Sequence, residues 1–86
     1  AGLRVSSTKA MHGHLLGAAG ALEALITVLA LHRQQVPPNA FCREVDPACG
    51  LNLVLEPHTA APGLQAAMSN SFAFGGTNSV LLFRRP

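Results

Sequence analysis

Residues Ser6–Ala24 read SSTKAMHGHLLGAAGALEA, and the rest of the chain is organised around them. A β-prone run, Leu3–Thr8, delivers Lys9, because Val5 is β-branched and its neighbours are apolar or hydroxylic. The stretch Lys9–His14 reads as a glycine-bearing turn. From His14 to Gln34 the pattern is helical, rich in Ala and Leu. Between Leu15 and Leu31 the only polar side chains are Glu23 and Thr27, four apart and hence on one narrow face. A helix apolar on nearly every side is buried on all sides or lies in lipid. The lipid reading is set aside because the run falls short of the ~20 residues a span needs, carries Glu23 near its middle and lacks a flanking basic cluster. Gly13, Gly17 and Gly20 lower helix propensity, so close approach of another backbone is expected there.

Outward from the helix, Val36-Pro37-Pro38 ends it. Asn39–Gly63 is a proline- and glycine-punctuated excursion, with Leu51–Leu55 alternating enough for a brief edge strand. Leu64–Phe72 reads as a strand, Ala73–Asn78 as a turn, and Ser79–Phe83 as a continuous apolar strand fit for burial on both faces. A Gly-Gly loop between two strands predicts a hairpin. The order is strand, long helix, excursion, strand, turn, strand.

Composition limits what this can be. The 86 residues are 49% hydrophobic and 12% charged, against about 25% charged for ordinary globular proteins. A small domain has proportionally more surface and needs more polar cover, not less. The expectation is therefore a piece of a larger core, not an independent domain. The net charge of +2 comes from scattered bases with no interleaved aromatics, which excludes a nucleic-acid surface. Cys42 and Cys49 make neither a zinc signature nor a disulfide framework, and with no signal pattern a cytoplasmic location with free thiols is expected. His12 and His14 form an H-x-H pair, but no third ligand stands at a metal spacing. GHLLGAAG lacks the G-x-G of a dinucleotide turn. No metal and no cofactor is expected.

Two constellations carry chemistry. The bland reading of the first is a surface lysine and a satisfied histidine. Against it, His14 falls at the helix start, where a neutral imidazole with one nitrogen held by a backbone donor offers its other N–H to a carbonyl. Glu23 on an apolar helix needs a basic partner, and Lys9 is the nearest in sequence. The second constellation, Asn70–Asn78 (NSFAFGGTN), is blandly a hairpin turn with two packed phenylalanines. Read more sharply, Gly75 and Gly76 allow backbone angles that aim amides at a ligand, as an oxyanion needs during acyl transfer. Phe74, beside them, is placed to act as a gate.

Together these motifs resemble the C-terminal part of the β-ketoacyl-[acyl-carrier-protein] synthases, α/β condensing enzymes of the thiolase-like fold, over essentially the whole chain. S-T-K-x-x-x-G-H-x-x-G-A-A-G-x-x-E appears complete at Ser7–Glu23, and N-S-F-x-F-G-G-T-N at Asn70–Asn78. The resemblance implies that His14 donates a hydrogen bond to the malonyl thioester carbonyl and steadies the enolate formed on decarboxylation. It implies that Lys9 holds the electrostatics of the site with Glu23 as partner. Phe74 is implied as the gate, with its backbone N–H in the oxyanion hole and Gly75 beside it. The helix would be sandwiched between two sheets of a layered α-β-α-β-α enzyme, of which residues 1–86 are the end of the second half, about the last fifth.

By the same resemblance, the nucleophilic cysteine and the other histidine belong to preceding segments. The implied partners are acyl carrier protein with its acyl and malonyl thioesters, the rest of the synthase chain, and a second copy in a homodimer, with no nucleic acid and no membrane. The implied function is decarboxylative Claisen condensation in fatty-acid or polyketide synthesis. Two alternatives stand beside it: a non-catalytic homologue acting as a chain-length partner subunit, and a stand-alone binding module. Two departures from the family pattern are Ala73, where glycine is usual and the loop freer, and His12, where a small hydroxyl residue is common.

Overall fold

The computed structural model describes residues 2–86. Lys9–His12 form a single helical turn, α1, closed by Gly13, whose N–H donates to the Lys9 carbonyl at 2.7 Å. A 3-10 turn at Leu16–Ala18 leads into α2, Ala19–Arg33. The expected strand Leu3–Thr8 is reduced to one parallel bridge, Val5 to Leu53. The reason is local: the Ser7 N–H, which a ladder would use, donates instead to the Asn39 Oδ1 at 2.9 Å. The turn expected at Lys9–His14 is partly helix. The long helix begins later than His14, because Leu16 takes φ +52 and interrupts the right-handed backbone.

Helix α2 stops before the prolines. Gln34 adopts the left-handed conformation (φ 55, ψ 43), and its N–H donates to the Ala30 carbonyl. His32 and Arg33 in the last turn complement the helix dipole. The Gln34 side chain then fastens this end to a distant loop. Its Nε2 donates to the Leu31 and Leu64 carbonyls at 2.8 and 2.9 Å, and its Oε1 accepts the Gly63 N–H at 2.9 Å. Gln34→Ala should lower unfolding stability by about 1–3 kcal/mol, the cost of stranding such groups. Gln34→Gly should lose less, since glycine takes the positive φ without strain. Urea unfolding of the two variants separates the side-chain bonds from the backbone term.

Beyond α2, β1 (Gln35–Val36) pairs antiparallel with β2 (Thr59–Ala60), a two-residue ladder with no signature in the sequence. The Leu51–Leu55 strand is likewise only the Leu53 bridge, although Val54 beside it is buried. The hairpin is as expected, with its first strand starting later and its second extended at both ends: β3, Ala66–Ala73, pairs antiparallel with β4, Thr77–Arg84, from Ala66↔Arg84 to Ala73↔Thr77. Its loop is therefore residues 74–76, and Ala73, Thr77 and Asn78 belong to the ladder.

Helix α2 lies chiefly on β3 and touches β4. Within the described residues neither the helix nor the last strand is fully covered. The helix meets one sheet here: Ala19 and Leu31 are buried, while Leu25, 56% exposed, and Val28 and Leu29 face outward. Strand β4 is likewise uncovered on one face or both among the described residues, with Val80 and Leu81 about half exposed and Leu82 70% exposed. Among the described residues the buried apolar set is Ala19, Leu31, Val54 and Ala61. An apolar sequence has a claim on burial, but these 86 residues do not supply the surfaces that would satisfy it. Nor does another backbone approach Gly17 or Gly20; a Cβ added at either meets nothing within 4 Å. By length and composition the helical stretch Leu16–Arg33 is long and apolar enough to cross a membrane, so the length argument against a span does not hold.

Candidate functional site

Lys9 opens α1, and Glu23 lies just past the first turn of α2, so the long lysine side chain reaches across from one helix to the other. The Lys9 Nζ donates to the Glu23 Oε2 in a direct ion pair. Glu23 is the more enclosed partner, with a side chain 17% exposed against 38% for Lys9. A carboxylate that far out of water on an apolar helix needs such a partner. Thr27, on the same face, turns its hydroxyl inward to the Glu23 carbonyl at 2.7 Å. The pair borders an open cleft of about 720 Å³ between residues 2–9, α2 and β3, with Ile26, Ala30 and Met68 among its apolar walls.

His14 sits in the short link between Gly13 and the 3-10 turn. Its Nδ1 receives the Leu16 N–H at 3.1 Å. A backbone amide only donates, so Nδ1 accepts and the ring proton lies on Nε2. That Nε2–H has no intramolecular acceptor among the described residues, and the ring is exposed. Leu16, which provides the amide, does so from its uncommon positive φ.

His12 has the opposite arrangement. Its Nδ1–H donates to the Gly13 carbonyl at 2.8 Å, and its Nε2 lies 2.7 Å from the Thr8 hydroxyl. Both nitrogens are engaged, at a helix end where a turn was expected. Among the described residues no three His, Cys, Asp or Glu side chains converge on one point. Cys42 and Cys49 are free thiols, with Cys42 donating weakly to the Glu44 carbonyl at 3.7 Å.

Phe74 caps the hairpin, fully exposed, and Gly75 and Gly76 follow at φ +85 and +80. These are angles that side chains resist, so the glycines are required by the turn. Of the expected site residues, then, Lys9 and Glu23 are brought together. His14, Phe74 and Gly75 are not among the walls of the Lys9–Glu23 cleft. The sequence reading missed the Leu16 amide and Asn39, whose carboxamide joins residues 5–7 to Val54. An asparagine after two prolines signals a turn and nothing of its distant partners.

Residues 1–43 match the family described as beta-ketoacyl synthase, C-terminal domain, and the chain belongs to that family. The 3-oxoacyl-[acyl-carrier-protein] synthase 2 of Vibrio harveyi is 55% identical over 82 residues, 94% of this chain and 19% of that protein. The 3-oxoacyl-[acyl-carrier-protein] synthase 1 of Haemophilus influenzae is 51% identical over 94% of this chain and 20% of its own length. Nodulation protein E of Rhizobium leguminosarum bv. trifolii is 48% identical over 96% and 20%. The chain thus spans about a fifth of the length of the curated relatives it matches.

Proposed function

We propose that these residues are the C-terminal segment of a thiolase-like 3-oxoacyl-[acyl-carrier-protein] synthase and supply half of its site for decarboxylative Claisen condensation. The observation that carries the reading is the His14 ring, with Nδ1 held by the Leu16 amide and Nε2–H free to donate. When a malonyl thioester loses its carboxylate as CO₂, the electrons of the broken C–C bond pass into the thioester enolate. A fixed N–H aimed at the enolate oxygen stabilises the charge as it develops, without reorganisation. The carbanion then attacks an acyl group carried by a cysteine of a preceding segment. The new C–C bond expels that thiolate and leaves the 3-oxoacyl chain on the carrier protein.

In this reading the Lys9 ammonium sets the local potential while Glu23 holds it in place. Phe74 gates entry, and its N–H forms one arm of the oxyanion hole, with the positive-φ glycines supporting the required backbone. The segment is not an independent domain. The few buried apolar residues favour this, as does a radius of gyration of 13.1 Å, against about 12 Å for a compact domain of this length. The remainder of the synthase chain covers the exposed faces of α2 and β4, and the assembly is a cytoplasmic homodimer served by acyl carrier protein, with neither a membrane nor nucleic acid as a partner. Assay of the complete chain with acyl- and malonyl-carrier protein should yield CO₂ and 3-oxoacyl product in equal amounts. Absence of both cysteine acylation and carbon–carbon bond formation would assign the chain to a non-catalytic partner instead.

A further inference from the structure

Asn39 is half-buried where three stretches of chain meet. Its Nδ2 donates to the carbonyls of Val5 and Val54 at 3.3 and 3.0 Å, and its Oδ1 accepts the Ser7 N–H at 2.9 Å. Its own N–H also donates to the Val54 carbonyl, at 2.7 Å. Both amide protons are therefore used, and the donor and acceptor ends are not interchangeable.

The stretch these bonds hold leads straight into Lys9. Upstream it is tied by the Arg4 guanidinium to the Ala60 carbonyl and by Val5 to the backbone of residues 52 and 54. Beyond Val5, the Asn39 carboxamide is the last long-range tie before α1, fixing the Ser7 amide two residues short of Lys9. The Lys9 N–H in turn reaches back to the Ser7 Oγ at 3.4 Å. Glu23 needs no such help, because it stands on a helix of 15 residues. The ammonium arrives from a one-turn helix whose starting direction is set by the chain before it.

We infer that Asn39 is a positioning residue for Lys9: its carboxamide fixes residues 5–7 so that the ammonium meets Glu23. The inference rests on the reading of Lys9 as part of the condensing site. Asn39 itself touches none of the reacting atoms, and its effect on the chemistry passes through Lys9. Asn39→Asp keeps the shape but replaces the Nδ2 donor with an oxygen facing two carbonyls.

The test compares Asn39→Asp, Lys9→Ala and the double variant in the complete synthase. The readouts are malonyl decarboxylation (kcat and KM separately), cysteine acylation and thermal unfolding. Asn39→Asp should lower the decarboxylation kcat roughly 10- to 100-fold, the effect of a sub-ångström to ångström displacement, while cysteine acylation continues. The double variant should be no slower than Lys9→Ala alone, since residues acting through one group are not additive. A double variant slowed by the full product of the two factors overturns the inference and leaves the reading of Lys9 standing. An unchanged rate in Lys9→Ala overturns that reading and the inference with it. Should Asn39→Asp fail to fold, Asn39→Ser, which retains a shorter donor and acceptor, serves in the same comparison.

Discussion

In the complete synthase, His14→Ala is expected to cut CO₂ release from the malonyl thioester by about 10²–10³-fold, the usual effect of losing one preorganised donor to a developing oxyanion. Acylation of the nucleophilic cysteine should continue near its normal rate, because that step builds no enolate. The variant removes an exposed ring and a single hydrogen bond to the Leu16 amide, so thermal unfolding should shift little. His14→Gln, which retains an N–H donor of similar reach, should recover part of the lost rate. Full-rate decarboxylation in His14→Ala would refute the proposed role of the imidazole. Loss of both partial reactions together with a lowered melting temperature would show instead that the ring supports the fold.

What could be read in the sequence follows from where each constraint comes from. Glu23 on an apolar helix demanded a cation, and the pair with Lys9 is there, because the cost of an unpaired carboxylate is a local matter. The hairpin was legible for a similar reason, since Gly75 and Gly76 supply backbone angles that the turn cannot otherwise reach. The donor that fixes His14 was foreseen in kind, but not that it would be the Leu16 amide. Long-range ties were illegible: a strand over residues 3–8 was reasonable until Asn39, more than thirty residues away, claimed the Ser7 amide. Burial was legible only as a demand. Ala- and Leu-rich composition states what a surface needs, whereas cover depends on which partners are present, and Leu25, Val28, Val80 and Leu82 stay largely exposed among the described residues.

Gly13 gives the second large effect. Its φ of 84 and ψ of 175 lie in a region that essentially only glycine occupies, at the point where α1 ends and His14 begins. A Cβ added there meets nothing within 4 Å, so Gly13→Ala creates no clash and its whole cost is backbone strain, about 1–3 kcal/mol. The chain has two ways to respond. It can keep the angle and lose that stability, or relax to negative φ and carry the His14 ring away from its present direction. Relaxation also disturbs the Gly13 carbonyl that accepts from the His12 Nδ1–H, so the link on both sides of the glycine is affected. An ångström of displacement at a donor costs on the order of 10²-fold in rate, so Gly13→Ala should lower either the melting temperature or the decarboxylation rate substantially. A chain that relaxes should melt almost normally and still acylate its cysteine. Unchanged melting together with unchanged decarboxylation would mean that the proposed site does not need this backbone conformation, and that the imidazole is aimed by something other than the turn preceding it.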